Sequence, residues 1–170
     1  MASRTLVAYA TMYGSTREVA EAVASTLRGA GVDVEVKPAG EVRKLEGYGA
    51  VVLGAPLIMH KLQKDARGFL ARHKKALTGM PVALFALGPC KEPRDEEEWR
   101  DCSGQFEQVL AELDWLKPVA AELFGGRFDP TLLKFPFNKM AGSEPASDAR
   151  DWDAVEAWAA GLPALLLPVE

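Results

Sequence analysis

The chain has 170 residues, enough for one domain with a sizeable core, and its 48% hydrophobic and 26% charged content excludes a disordered or fibrous chain. A formal net charge of -4 argues against general nucleic-acid binding, and no apolar run approaches the roughly 20 residues that span a bilayer. Only two cysteines, Cys90 and Cys102, are present, which fits a reducing compartment, and the first strand begins too early for a signal peptide, so the expected location is the cytoplasm.

The apolar run Thr5 to Ala10 predicts a strand, and Ser15 to Arg28 predicts a helix with Val19, Ala20, Val23, Ala24 and Leu27 on one face. Between them lies Thr11-Met12-Tyr13-Gly14-Ser15-Thr16. A short hydroxyl-rich turn from strand to helix aims backbone N–H groups at one point, and the helix start adds roughly half a positive charge there. Thr11, Tyr13, Ser15 and Thr16 supply hydroxyls, and Gly14 allows close approach of the backbone. No Gly-x-x-x-x-Gly-Lys-Ser/Thr or Gly-x-Gly-x-x-Gly occurs here, which sets aside the nucleoside-triphosphate and dinucleotide loops. A loop with no Lys or Arg suits a phosphomonoester held by neutral donors. Ser15 and Glu18 have capping-box spacing, which predicts a side-chain cap at this helix start.

Val32, Val34 and Val36 alternate with charged residues, predicting a half-exposed strand at or near a sheet edge. Glu41 to Glu46 has room for a short helix. Ala50 to Leu53 is continuously apolar, as in a strand covered on both faces, and Ala55 to Leu62 is expected to be a loop. Lys64 to Leu77 predicts a helix, Val82 to Leu87 a buried strand broken by Gly88-Pro89-Cys90, and Glu96 to Asp114 a long helix with Trp99, Cys102, Phe106 and Val109 inward. Pro118 to Phe124 is a fifth strand, Asp129-Pro130 opens a short helix, and Asp151 to Leu162 is the last helix, with Trp152, Val155 and Trp158 inward. Strands alternating with helices predict an α/β domain with a mainly parallel sheet.

At the hexapeptide Thr11 to Thr16 the chain resembles the flavodoxin family, whose first loop reads Thr/Ser-x-x-Gly-x-Thr and holds the phosphate of FMN. The resemblance covers nearly the whole chain. It implies a single three-layer domain over residues 1–170 with a five-stranded parallel sheet in the order 2-1-3-4-5, which flavodoxins exemplify, and FMN at the switch point. It further implies that FMN contacts Thr11, Met12, Tyr13, Gly14, Ser15 and Thr16, then Ala55, Pro56, Leu57, Ile58 and Met59, then Leu87, Gly88, Pro89 and Cys90. Gly54-Ala55-Pro56-Leu57, Phe124-Gly125-Gly126-Arg127 and Ala146 to Trp152 resemble in particular the branch that contains menaquinone-dependent protoporphyrinogen dehydrogenase. That branch implies an oxidoreductase moving electrons between an organic substrate, such as a porphyrinogen, and a quinone; the alternative is an electron carrier between protein redox partners.

Within that frame, Ile58 stands where flavodoxins often place an aromatic against the flavin, and Trp99 is expected to pack in the core. His60 is the candidate catalytic proton donor, and His73 is expected to pack. The two histidines and two cysteines lack metal-ligand spacing, so no metal is predicted. Cys90, with only Lys91 nearby to lower its pKa, is expected to be an inert thiol. Glu92 to Asp101 carries six acids and two bases, which serve either a helix start or the docking of a basic partner. An expected insert, 127–146, mixes Leu132, Leu133, Phe135, Phe137 and Met140 with Arg127, Lys134 and Lys139. Two readings stand for it: a hydrophobic lid, or an apolar surface for a quinone or porphyrin and, through 132–140, for peripheral contact with a membrane. Finally, flavodoxins flip a glycine peptide beside the ring when the flavin takes one electron. Here the comparable residue is Met59, and a left-handed conformation at a residue with a Cβ costs roughly 1–2 kcal/mol, which predicts a nearly two-electron couple.

Overall fold

A computed structural model describes residues 3–134, 136–140 and 144–168. In chain order the strands and helices are β1 (Arg4–Tyr9), α1 (Ser15–Gly29), β2 (Val34–Pro38), β3 (Tyr48–Ile58), β4 (Lys61–Leu62), α2 (Lys64–Arg72), α3 (Lys74–Leu77), β5 (Val82–Leu87), α4 (Glu96–Glu112), β6 (Ala120–Phe124), β7 (Arg127–Phe128), α5 (Phe137–Met140), β8 (Ser147–Asp148), α6 (Trp152–Ala160) and α7 (Pro163–Leu166).

The main sheet runs β2-β1-β3-β5-β6, all parallel, with β4 added antiparallel to the end of β3. This is the predicted order, with the edge-like second strand at the edge. Because successive side chains of a strand point to opposite faces, each apolar strand feeds two cores. Leu6, Ala8, Leu53 and Leu84 join Phe69 of α2 and Phe106 and Val109 of α4 on one face. Val7, Val52 and Phe85 join Val19, Val23 and Leu27 of α1 and Val155 of α6 on the other. The result is a three-layer α/β fold with β1, β3 and β5 buried on both sides.

Several elements depart from the sequence pattern. Glu41 to Glu46 forms no helix; a 3-10 turn covers Ala39–Glu41, and Val42 and Leu45 enter the core under α2 instead. The helix expected over 64–77 breaks at His73, whose ring nitrogen lies 3.1 Å from the Val42 carbonyl and whose ring sits 4.8 Å from that of Phe69. The expected last helix ends at Ala160, and Pro163 opens a new one, a position where its missing N–H costs nothing. Trp152 is 38% exposed rather than inward, and the Arg150 guanidinium lies 4.8 Å over its ring.

Ala55 to Leu62 is not a loop. β3 continues to Ile58 and folds back on β4, with Leu57 opposite Leu62 and Ile58 opposite Lys61. A two-residue turn of Met59 and His60 joins the strands. It escapes sequence rules because hairpin turns usually advertise themselves with Gly or Asn.

Candidate functional site around the α1 N-terminus

The exits of β1, β3 and β5 share one end of the parallel sheet. Where β1 gives way to α1, Gly14 takes φ +93, a backbone angle that a Cβ would strain even though nothing lies within 4 Å of where it would sit. The Thr11 hydroxyl oxygen accepts the Gly14 N–H at 2.8 Å and closes the turn. The first helical hydrogen bond runs from the Glu18 N–H to the Gly14 carbonyl at 3.2 Å, leaving the amides of Ser15, Thr16 and Arg17 without backbone partners among the described residues. The Thr16 hydroxyl is fully buried and has no hydrogen-bond partner among the described residues. A buried hydroxyl without a partner is costly, and an anion at the helix start satisfies it together with the free amides. The residues present therefore fit a phosphate.

The capping box is not formed. Gly14 caps α1 without a side chain, and Ser15 is the first helical residue. The Glu18 carboxylate turns outward to Arg127, at 3.3 Å, and Arg150, at 3.0 Å. These two arginines are the contacts to the loop that the sequence pattern missed. Arg127 donates to the Tyr13 carbonyl at 3.2 Å, and Arg150, with 4% of its side chain exposed, donates to the Ser15 carbonyl at 3.4 Å and to Asp148 at 2.7 Å. They hold the loop through its carbonyls from behind. Both residues stand in segments quoted above as branch markers, and Arg127 also in the expected insert, but nothing local ties them to a loop so far back in the chain.

In the second segment Ala55 is buried, Pro56, Leu57 and Ile58 are half-buried, and Met59 is 88% exposed. Met59 and His60 both have positive φ, +50 and +68. The left-handed cost assigned above to reduction thus already resides in the resting turn, because a two-residue hairpin loop of this type requires positive φ at both positions. His60 is exposed, and its ring has no hydrogen-bond partner among the described residues.

In the third segment Leu87 and Pro89 are buried and Gly88 and Cys90 half-buried. Glu98 accepts from the amides of Cys90 and Lys91 at 3.1 and 3.0 Å, so these donors are already spoken for. The Pro89 carbonyl accepts the Gly126 N–H at 2.7 Å, and the Ser147 hydroxyl donates to the Cys90 carbonyl at 2.5 Å. Gly125 is required by crowding, since a Cβ there would lie 2.0 Å from the Ala149 carbonyl oxygen. The β7–β8 hairpin is thereby stitched to the loop after β5. Burial, and then the Glu98 carboxylate, push the Cys90 thiol up to about 11, which keeps it protonated at neutral pH.

Met12, Ile58 and Met59 line one cavity, so the first and second segments meet. Cys90 lines another with Lys91, Pro93, Phe128, Pro145 and Ser147. Trp99 is only half-buried and lies under the Arg94 guanidinium at 4.2 Å, outside the core where periodicity placed it. Asp95 caps α4 through the Glu97 and Glu98 amides, while the acids that follow stay at least partly exposed. In the 127–146 stretch Leu132 and Met140 are 40% and 76% exposed; Phe135 lies outside the described residues.

A doubly wound α/β fold with an anion-ready loop at the first strand–helix turn defines a nucleotide-cofactor domain. A family model described as Flavodoxin domain matches residues 6–140, and the chain belongs to that family, whose cofactor is FMN. The chain is 25% identical over 167 residues to protoporphyrinogen IX dehydrogenase [quinone] of Escherichia coli K12, covering 89% of this chain and 90% of that one. Among solved structures it is similar to oxidised flavodoxin 1 of Bacillus cereus, with a TM-score of 0.60 and 17% identity over 97% of this chain and 100% of that one. It is also similar to a mutant flavodoxin of Pseudomonas aeruginosa, with a TM-score of 0.58 and 20% identity over 96% and 98%. Among the described residues no helix is long and apolar enough to cross a membrane.

Proposed function

We propose that the protein is an FMN-dependent oxidoreductase that takes electrons from an organic substrate, a porphyrinogen in the first instance, and passes them to a quinone or similar acceptor in the cytoplasm. The observation that carries this reading is the similarity to a protoporphyrinogen dehydrogenase over 89% of this chain and 90% of that one.

Thr11 to Thr16 would hold the FMN phosphate, with the Thr16 hydroxyl and the Ser15 to Arg17 amides as donors. Pro56 to Met59 and Leu87 to Cys90 would flank the ring, the first with aliphatic surface in place of an aromatic. FMN, when bound, supplies the electron chemistry; the chain supplies binding, orientation and access. The exposed Met12 and Met59 leave an apolar approach to the ring edge, and His60 is the proposed proton donor at that edge.

A second reading, an electron carrier docking protein partners, is favoured by the acids clustered at the start of α4. Anaerobic reduction of the FMN-loaded protein separates the two. Reduction by a porphyrinogen with reoxidation by a quinone supports the enzyme; reduction only by a protein reductase supports the carrier.

A further inference from the structure

Two cavities on the face of α2 share Lys61, Leu62 and Arg67 and so form one groove. The first, about 480 Å³, begins at Met12, Ile58 and Met59, beside the proposed ring edge. The second, about 370 Å³, continues between α2 and α4 over Leu70, Val109, Leu113 and Trp115. Each is within the size range of small-molecule sites, and their floors are apolar.

The charge around this groove is opposite to that of the chain. Lys61, Lys64, Arg67 and Lys74 line it, against the carboxylate of Glu112, whereas the whole chain carries a formal -4. None of the four cations has an ion-pair partner among the described residues. Arg67 is nonetheless held in place: its Nε donates to the Leu62 carbonyl at 3.0 Å, leaving the two terminal nitrogens of the fork for an incoming group. Lys74 is held too, with its Nζ 5.3 Å from the Trp115 ring centroid. Anchored cations without anions, along an apolar floor that opens at the cofactor, fit a ligand that is apolar in body and anionic at one end.

We propose that this groove seats a flat apolar substrate that carries carboxylates, its ring system over Ile58 and Met59 at the cofactor end and its carboxylates at Arg67 and Lys74. The proposal rests on the oxidoreductase reading and locates that reading's substrate. The test titrates FMN-loaded protein with protoporphyrin IX, a dicarboxylic ring system, and with its dimethyl ester, following the porphyrin absorbance. Arg67→Gln and Lys74→Gln are each expected to weaken diacid binding about five- to tenfold, and the ester to bind wild type as weakly as the diacid binds the double variant. Leu113→Asp, which places an acid on the floor at the carboxylate end and leaves both cations in the chain, is expected to weaken diacid binding at least as much. FMN affinity and melting temperature serve as the control for folding. Diacid binding that ignores both cations, or ester binding as tight as diacid, overturns the groove while leaving the cofactor assignment standing. Failure of the wild-type protein to hold FMN overturns the cofactor reading, and the same porphyrin titration of the FMN-free protein still decides the groove. Loss of anionic-vesicle binding in the two cation variants, with porphyrin affinity unchanged, would make this a membrane face and overturn the proposal.

Discussion

Arg150 bonds Glu18 at 3.0 Å, and the same guanidinium holds Asp148 at 2.7 Å with only 4% of its own side chain exposed. The pair joins the hairpin after β6 to the first turns of α1. Arg150→Met removes both bonds and leaves two carboxylates without their shared cation. Because both acids are about half exposed, the expected loss is about 1–3 kcal/mol, read from the urea midpoint at constant slope. Arg150→Lys is expected to recover little, since one ammonium does not reproduce a fork between two acids. An unchanged midpoint would contradict the clamp.

The Thr16 hydroxyl gives a prediction of opposite sign in two states. It is buried and unpartnered among the described residues, so Thr16→Val is expected to leave the flavin-free protein as stable as before or slightly more so. FMN affinity is expected to fall about tenfold or more, from the loss of a bond to a charged group worth roughly 1.5–3 kcal/mol. Riboflavin, without the phosphate, is expected to bind far worse than FMN and to be indifferent to the substitution. Equal affinities for FMN and riboflavin by fluorescence titration would remove phosphate from this loop.

At the far sheet edge, Glu35 sits at about 2, below the usual 4.5, held there first by the Tyr48 hydroxyl at 2.5 Å and then by Lys37 and Arg4. A carboxylate depressed in the folded state stabilises the fold above its ordinary pKa and loses that contribution as pH falls through the folded value. Stability is therefore expected to decline from about pH 4.5 toward pH 2 in part through Glu35. Tyr48→Phe is expected to raise the Glu35 pKa and shrink that acid-dependent component, measured by NMR titration of the Glu35 carboxyl. A titration curve identical to wild type would contradict it.

The turn at Met59 and His60, proposed above to flank the flavin ring, gives a prediction about one-electron reduction. Both residues have positive φ. Reversing the peptide between them converts a I′-type turn to a II′-type turn, whose first position only glycine occupies without strain. Met59→Gly is expected to raise the fraction of one-electron-reduced flavin about tenfold during slow photoreduction, while wild type shows little. A wild-type protein in which most of the flavin passes through a stable one-electron state would contradict this and favour the carrier.

The sheet was legible because β1, β3 and β5 are covered on both faces, which forces continuous apolar runs, and because β2, at an edge, alternates. The turn from β1 into α1 at Thr11 to Thr16 was legible because strand, hydroxyls, glycine and helix are contiguous. What escaped lies in contacts between distant residues. Nothing near Arg150 in sequence points to Glu18, 132 positions earlier. The β3–β4 hairpin hid behind turn residues that do not announce a turn. Trp99 has the spacing of a core residue, but periodicity names a face and not what covers it, and here Arg94 covers it.

The bonds from Arg127 to the Tyr13 carbonyl and from Arg150 to the Ser15 carbonyl span 114 and 135 positions. During synthesis the loop emerges more than a hundred residues before the side chains that grip it. Cofactor capture therefore waits until both arginines have been made, and an isolated β1–α1–β2 fragment, though it carries every proposed phosphate donor, is expected to retain no flavin.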